Sequence, residues 1–307
     1  MSAVCQPLIL AQGQDVPRGI AVSGTNVYFT THTASGYVAS CPTTGCGNKP
    51  TVLTQGLSQG SGMAVSGTSL FFMAFGNYQD GGGYVGNGAF SCTTTGCAAG
   101  TPLTSSPGNP VGTTTDGAFV YWNDSSLGDI LSCAVGGCGG TPTVLASGQG
   151  SPWYGIAVDT GSTFVYWVDR GDGTVDRCDL PTCAGGVQRV ATNLLGPFDL
   201  TLAGSSVYFT DYDPNNPTNP GVVDVCPVTG CSNGNTTFAT QQTTPSGIAA
   251  DDAGIYWANN GDGTIAYCPK VGCPSSGPTL LAANQGGPFK VALDADFVYW
   301  TDTTGGD

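Results

Sequence analysis

The sequence of 307 residues predicts an all-β fold, a seven-bladed β-propeller of four-stranded antiparallel blades. The first observation is an aromatic motif that returns seven times, at spacings of 42 to 50 residues. The second is that short β-branched or aromatic stretches, bounded by Gly, Asp, Asn and Ser, fill each repeat without helical periodicity. The third is that the last repeat is incomplete while the N-terminus carries a matching remainder.

Each repeat has the same internal order. It begins with an apolar stretch such as residues 19–22 and continues, after a turn, with an aromatic stretch such as residues 27–30. A Gly/Asp loop, a strand that ends at a cysteine, a cysteine hairpin and a last strand such as residues 142–146 follow. Four strands of about five residues with short connections suit an antiparallel meander. The aromatic positions that define the spacing are Tyr28, Phe71, Tyr121, Tyr166, Tyr208, Tyr256 and Tyr299.

The two chain ends are predicted to share one blade. The seventh repeat stops at Asp307, before any third or fourth strand, whereas residues 3–5 match a third strand and residues 7–14 match a fourth. We therefore expect residues 1–17 to complete the blade begun at 289–307. Such an offset closes the ring and removes exposed sheet edges. Residues 1–307 are accordingly expected to form a single domain without a linker.

Twelve of the thirteen cysteines form six C-x4-C pairs, each at the same place in its repeat. Zinc sites usually combine two such pairs into a tetrahedron, but successive pairs here lie about 44 residues apart. A glycine such as Gly45 often precedes the second cysteine and permits a tight turn within disulfide reach. We therefore predict six local disulfides and an oxidising compartment, in a secreted or cell-surface protein. The predicted pairs are Cys41 with Cys46, Cys92 with Cys97, Cys133 with Cys138, Cys178 with Cys183, Cys226 with Cys231 and Cys268 with Cys273.

Cys5 is the cysteine outside these pairs. It is either the first half of a seventh pair that has lost its partner or a free surface thiol that links chains. Residues 1–4 show no basic or apolar export signal, so we expect that a signal was removed or that the numbering begins at the mature chain.

Composition excludes several classes of function. The 21 acidic residues are all Asp, and with seven Lys and Arg the net charge is −14, which argues against nucleic acid and anionic membrane surfaces as partners. No apolar run approaches the roughly 20 residues of a membrane span. The absence of Glu and the single histidine, His32, exclude mechanisms that need a catalytic Glu, two histidines or a His-rich metal site.

The aromatic motif carries a family resemblance. Residues 299–302 are the tetrapeptide Tyr-Trp-Thr-Asp, and the other repeats contain near versions of it. The chain resembles the YWTD-type propellers of the low-density-lipoprotein receptor class, and it is similar also to Cys-bearing repeat proteins that myxobacteria export. The resemblance implies a propeller that serves as a binding platform. It departs from the receptor domains in blade number, because those have six.

The residue that enters each first strand is predicted to surround the mouth of the central channel. Arg18 and Lys290, two of seven basic residues, fall on neighbouring blades, with Tyr154 and Asp199 opposite. This arrangement predicts an anionic or polyhydroxylated ligand, and the alternative is that the charges at the mouth neutralise one another. The full ring is Arg18, Ser61, Val111, Tyr154, Asp199, Ser246 and Lys290.

Three aromatic residues, Trp153, Phe198 and Phe289, follow prolines next to this ring. They either contact a ligand, since aromatic faces stack on sugars and anchor partners, or fill the seams between blades. Two long connections, residues 75–86 and 211–221, are the expected places for specific contacts.

Three Asp-rich loops, residues 169–174, 259–264 and 302–307, permit a calcium interpretation. They lack the EF-hand spacing, and Asp-Gly is the preferred two-residue hairpin turn, so we predict turns and no cofactor, with Ca²⁺ as the alternative. His32 is interpreted as a bystander, because the G-x-S-x-G match at residues 56–60 is followed by no helix.

Three hypotheses of function follow. The first is a secreted, non-catalytic, lectin-like propeller that recognises a glycan or protein ligand through its top-face loops. The second is a self-assembling or adhesion protein, in which Cys5 crosslinks copies. The third is an Asp-dependent hydrolase or lyase, assisted by calcium. The third is the weakest, because related propeller enzymes depend on Glu, which this chain lacks.

Overall fold

The computed structural model describes residues 7–75, 87–104, 108–216, 218–231 and 234–307. Within these ranges the chain forms 26 strands in seven antiparallel sheets and no helix. Sheets 1 to 3 contain β1 (Pro17–Ser23), β2 (Asn26–Thr31), β3 (Gly36–Pro42) and β4 (Thr51–Leu57); β5 (Gly60–Ser66), β6 (Ser69–Ala74), β7 (Gly88–Thr93) and β8 (Thr101–Pro102); and β9 (Pro110–Thr115), β10 (Phe119–Asp124), β11 (Asp129–Ala134) and β12 (Thr143–Ala146).

Sheets 4 to 6 repeat the same four-stranded meander, and sheet 7 has two strands among the described residues. Their strands are β13 (Pro152–Val158), β14 (Phe164–Asp169), β15 (Thr174–Asp179) and β16 (Gln188–Ala191); β17 (Pro197–Ala203), β18 (Ser206–Asp211), β19 (Gly221–Pro227) and β20 (Thr236–Gln242); β21 (Pro245–Ala250), β22 (Gly254–Asn259), β23 (Thr264–Pro269) and β24 (Thr279–Ala282); and β25 (Pro288–Leu293) and β26 (Val298–Asp302).

The first strands of successive sheets contact one another in chain order, and β25 contacts β1. Residues 7–16 form no strand, which differs from the fourth strand predicted there. They nevertheless form hydrogen bonds with the C-terminal loop and with the first cysteine hairpin. The Gln14 N–H donates to the carbonyl of Gly306 at 2.8 Å, and the Cys46 N–H donates to that of Leu10 at 3.1 Å. Cys5 and the third strand predicted at residues 3–5 lie outside the described residues.

The aromatic motif fills two seams at once. Successive side chains of a strand point to opposite faces, so Tyr166 joins a buried cluster with Val207 of sheet 5. Its neighbour Trp167 joins a buried cluster with Tyr121 and Leu145 of sheet 3. Both rings are almost fully buried. The Tyr-Trp pair of this repeat therefore lies in the core between neighbouring sheets.

The Thr of the motif joins neighbouring first strands. The Thr301 hydroxyl donates to the carbonyl of Arg18 at 3.0 Å and so connects sheet 7 to sheet 1. The Thr30 hydroxyl does the same between sheets 1 and 2, donating to the carbonyl of Ser61 at 3.0 Å. Because the Gly19 N–H donates to the Thr30 oxygen at 2.9 Å, one hydroxyl serves two backbone groups.

Glycine in the first strands allows the sheets to approach closely. A Cβ on Gly112 would lie 2.2 Å from the carbonyl oxygen of Tyr154 in the next sheet, and one on Gly19 would lie 2.0 Å from that of Ser61. Any side chain there would collide with backbone. The repeated Gly before the apolar stretch therefore reflects the close packing of neighbouring first strands.

The six predicted disulfides are all present. The first cysteine of each pair is the second-last residue of a third strand, and the second cysteine lies beyond that strand, in the hairpin. Two hairpins also bond to the preceding sheet, because the Cys97 N–H donates to the Leu53 carbonyl at 3.0 Å and the Cys231 N–H donates to the Val190 carbonyl at 2.8 Å. The observed disulfides join Cys41 to Cys46, Cys92 to Cys97, Cys133 to Cys138, Cys178 to Cys183, Cys226 to Cys231 and Cys268 to Cys273.

The hairpins obtain their tight turns from a left-handed residue. The glycine before the second cysteine has a positive φ, 96° at Gly45 and 105° at Gly230, as the tight turn requires. Sheet 4 has Thr182 at this position, and there Cys183 itself takes a φ of 57°. Six disulfides in one chain indicate an oxidising compartment.

Candidate functional site

Strand register corrects the predicted ring of mouth residues. Ile20 and Leu200 hold equivalent places, opposite Phe29 and Phe209, so the partner of Arg18 in sheet 5 is Phe198 and not Asp199. In sheet 7 the same comparison selects Phe289 rather than Lys290. Each of these three first strands begins at a proline, and the same irregularity separates Pro17, Pro197 and Pro288 from the next paired residue, three positions further on.

Asp199 and Lys290 therefore stand where other first strands carry glycine. The Lys290 Nζ lies 2.6 Å from Asp199 Oδ2, with 20% and 4% of their side chains exposed. The same carboxylate oxygen accepts the N–H of Ile248 at 3.1 Å, and Oδ1 accepts that of Leu200 at 3.0 Å. The alternative that charges neutralise one another holds for this pair.

The seven candidate residues, here called the first-strand cluster, converge at the end of the sheets where the first strands begin. Tyr154 is buried at its centre, stacked on Phe198 with ring centroids 5.3 Å apart and perpendicular to Phe289 at 5.1 Å. Trp153 meets Tyr154 edge-on at 5.7 Å. Burial raises the pKa of the Tyr154 hydroxyl, so it remains a neutral donor and acceptor. The members are Arg18, Trp153, Tyr154, Phe198, Asp199, Phe289 and Lys290.

Arg18 reaches across the cluster. Its Nη1 donates to the Tyr154 hydroxyl at 3.0 Å, and its guanidinium carbon lies 5.0 Å from the centre of the Phe289 ring. Its Nε is buried without a hydrogen-bond partner among the described residues. Arg18 has no carboxylate within 4 Å in that part of the chain.

Arg170 belongs to this site, although sequence analysis treated its loop only as an Asp-rich turn. Its guanidinium carbon lies 5.5 Å from the ring centre of Trp153, 5.7 Å from that of Phe198 and 5.2 Å from that of Tyr212. Its Nη2 donates to the Tyr212 hydroxyl at 3.1 Å. The signal that could have identified it is its place directly after the motif Asp169 on the sheet that supplies Trp153.

Each of the two long connections supplies one ring to the cluster. Phe75 and Tyr212 pack against the buried core of Val111, Tyr154 and Phe198. Residues 76–86 and Pro217, which also belong to these connections, lie outside the described residues. Position at the end of a second strand is what brings the two rings to the site.

His32 lies at the same end, stacked on Phe75 with centroids 6.2 Å apart. Its Nδ1 lies 3.0 Å from the carbonyl oxygen of Gly60. Burial, assisted by the nearby positive charge of Arg18, lowers the pKa of His32 to about 4. The imidazole is therefore neutral at neutral pH and adds no charge to the site.

Two of the three Asp-rich loops, residues 169–174 and 302–307, use their first carboxylate to accept backbone N–H groups. Asp169 accepts the N–H groups of Gly150, Ser151 and Asp172 at 2.7 to 3.0 Å. Asp302 likewise accepts the N–H of Gly305 at 2.9 Å. The described residues contain no group of three or more His, Cys, Asp or Glu side chains arranged to hold a metal ion.

A separate buried carboxylate lies in sheet 4. Asp176 is fully buried, and its Oδ2 accepts the Arg189 Nη1 at 2.6 Å and the Thr174 hydroxyl at 2.8 Å, while Oδ1 has no partner among the described residues. Burial raises its pKa to about 6.

The described ranges include no helix long and apolar enough to cross a membrane.

Comparison with known proteins supports the fold. Neither a protein-family model nor a curated protein matches the sequence. A streptogramin B lyase structure is similar, with a TM-score of 0.71 at 15% identity, over 95% of this chain and 92% of that one. A catalytically inactive virginiamycin B lyase from Staphylococcus aureus with quinupristin gives 0.70 at 15% identity, over 97% and 95%. A nidogen/laminin complex gives 0.56 at 17% identity, over 78% and 84%.

At such identities these likenesses show the fold alone, and the fold is that of the β-propellers. The neighbours comprise both enzymes and a complex between two proteins, so they do not select an activity. The more specific likeness to exported myxobacterial repeat proteins stays a prediction.

Proposed function

We propose that the chain is a closed seven-bladed propeller and that residues 1–17 complete its seventh blade. Support comes from the contact between β25 and β1 and from the bond of Thr301 to Arg18. The Gln14 bond to Gly306 repeats the bond between the Gln149 N–H and the Gly128 carbonyl, each joining the end of a blade to a turn after a second strand. Residues 1–307 then form one domain.

We propose further that the protein is an exported, non-catalytic binding protein whose ligand sits on the first-strand cluster. One observation carries this proposal: three of the seven basic residues, Arg18, Arg170 and Lys290, are held against aromatic rings at one end of a strongly acidic chain. Partly buried rings beside fixed cations suit a ligand with an apolar or sugar face and polar substituents. The disulfides support an extracellular place of action.

A glycan array probed with the purified, oxidised protein in calcium buffer tests this function. Trp153→Ala and Phe289→Ala are each expected to lower the affinity for any glycan that binds at least tenfold, because each removes an aromatic face. Phe297→Ala is the matched control, since Phe297 is exposed at the turn before β26, at the opposite end of the sheet. A blank array, or equal binding by all three variants, would refute the proposal.

A further inference from the structure

We infer that the ligand of the first-strand cluster is an acidic oligosaccharide, whose uronic acid carboxylates are bound by Arg18 and Arg170. The inference rests on the proposed glycan-binding function and specifies its ligand class. It depends on the hydrogen-bonding state of the two guanidinium groups, on their lack of acidic partners, and on the apolar surface between them.

Both guanidinium groups retain unused donors. Arg18 makes one side-chain hydrogen bond to a described residue, from Nη1 to Tyr154, and Arg170 makes one, from Nη2 to Tyr212. A guanidinium carries five N–H donors, and its paired donors match a carboxylate in geometry. By contrast, Arg177 outside the cluster satisfies its donors on Gln188 and on the Val228 carbonyl. The two cluster arginines therefore have N–H donors left with which to bind a carboxylate.

The acidic partners in the chain lie elsewhere. The chain carries 21 Asp against seven Lys and Arg, yet among the described residues Arg18, Lys49, Arg170 and Arg177 have no carboxylate within 4 Å. Lys290, Arg189 and Lys270 each have a carboxylate within 4 Å. Arg18 and Arg170 have none within that distance in the described part of the chain. Asp211 acts on Arg170 only at longer range. An anionic ligand would supply the missing counter-charge.

Aromatic rings lie between the two arginines, and of these Phe289 is partly exposed whereas Phe198 is buried. Arg18 lies over Phe289, Phe289 meets Phe198 edge-on with centroids 5.4 Å apart, and Arg170 lies beside Phe198. Trp153 borders Arg170, and its Nε1 is buried without a described partner. Carbohydrate C–H faces stack on such rings, while carboxylates at both ends would meet the guanidinium groups. Two charges flanking an apolar floor distinguish this site from a general anion site.

The test compares binding of the same oligosaccharide with charged and with uncharged carboxyl groups. Binding of oligogalacturonate and of the fully methyl-esterified oligomer to the full oxidised chain is measured by calorimetry at low and moderate salt. Oligogalacturonate is expected to bind at least tenfold more tightly, with an affinity that falls as salt rises. Dextran sulfate of similar length serves as an anionic probe without carboxylates and is expected to bind at least tenfold more weakly.

Variants assign the effect to residues. Arg18→Gln and Arg170→Gln are each expected to weaken oligogalacturonate binding at least tenfold, and Lys substitutions at the two positions should recover only part of it. Lys49→Gln removes the same charge from an exposed hairpin at the opposite end of the sheet and should change binding less than twofold. Unchanged thermal unfolding of each variant shows that the fold is retained, and the Lys variants provide the test if a Gln variant does not fold.

The outcomes separate the two proposals. If the esterified oligomer or dextran sulfate binds as tightly as oligogalacturonate, the ligand class is wrong while glycan binding stands. If uncharged glycans bind and the arginine variants behave like Lys49→Gln, the assignment to Arg18 and Arg170 is likewise wrong. If no glycan binds, the proposed function itself fails.

Discussion

The ammonium group of Lys290 lies 2.6 Å from the carboxylate of Asp199, although the two residues belong to first strands separated by β21. Both occupy positions that hold glycine in the other first strands, as Gly247 does between them. Two departures from the repeat thus form one nearly buried ion pair across sheets 5 to 7. The pair fixes Lys290 beside the Tyr154 ring, 5.8 Å from its centre.

The charges of this pair are expected to be strongly coupled. Asp199→Asn or Lys290→Met alone should lower the free energy of unfolding by about 3–5 kcal/mol, because each leaves a buried charge unpaired. The double variant should cost less than the sum. Urea unfolding of the oxidised protein, analysed as a double-mutant cycle, measures the coupling. Additive losses would show that the two charges act independently.

Substituting a first-strand glycine should destabilise the fold for steric reasons. Gly112→Ala places a Cβ 2.2 Å from the Tyr154 carbonyl oxygen, so β9 and β13 must separate, at an expected cost above about 2 kcal/mol. Gly136→Ala is the matched control, because nothing lies within 4 Å of its Cβ position and its φ suits any residue. Thermal unfolding of both variants decides the matter, and equal melting temperatures would contradict the close approach.

Removing the Asp176 charge should stabilise the protein at neutral pH. Its pKa is raised from 3.8 to about 6, so its contribution is most favourable below pH 4 and is lost as pH rises through 6. Asp176→Asn should therefore raise the free energy of unfolding by about 1–3 kcal/mol at pH 7.5 and change it little at pH 4. Asp172→Asn, at the exposed carboxylate near Arg189, should be neutral at both. A loss at pH 7.5 from Asp176→Asn would mean that Arg189 compensates the buried charge.

His32 offers a direct reading of the site's electrostatics, since it is the only histidine. Its imidazole should titrate near pH 4 in NMR spectra instead of near 6.5. A lowered folded-state pKa means that its contribution to stability is present above pH 6.5 and is lost as pH falls toward 4. Arg18→Gln should raise the midpoint, because one positive charge is removed. A midpoint near 6.5 in the folded chain would contradict the burial of the ring.

Calcium removal should leave the fold unchanged. The carboxylates of Asp169 and Asp302 already accept several backbone N–H groups each, so the loops are held without a cation. Melting curves in EDTA and in millimolar CaCl₂ should coincide. A rise of several degrees with calcium would reinstate the metal interpretation of these loops.

The residue pattern along the chain was sufficient to predict the strands and cysteine hairpins, but it did not predict all the contacts of the first-strand cluster. The Tyr-Trp pairs and the cysteine hairpins recur at fixed offsets, and each is satisfied by local turns or by alternation along one strand. The predicted ring placed Asp199 and Lys290 one residue too far along their strands, because the equivalent of Arg18 is the residue directly after the first proline, Phe198 or Phe289. Arg170 was not predicted as a site residue because two of the three rings beside it, Phe198 and Tyr212, come from the next sheet, more than 25 residues further along the chain.

By itself, the sequence determined the all-β repeat, the six disulfides and the residues that fill the seams, because these depend on contacts that every repeat makes in the same way. Only the tertiary structure decided which side chains meet where the first strands begin. Arg18 meets Tyr154 over a separation of 136 residues, and Lys290 meets Asp199 over 91. Such pairings depend on how the sheets are placed relative to one another, and no periodicity within one repeat carries that information.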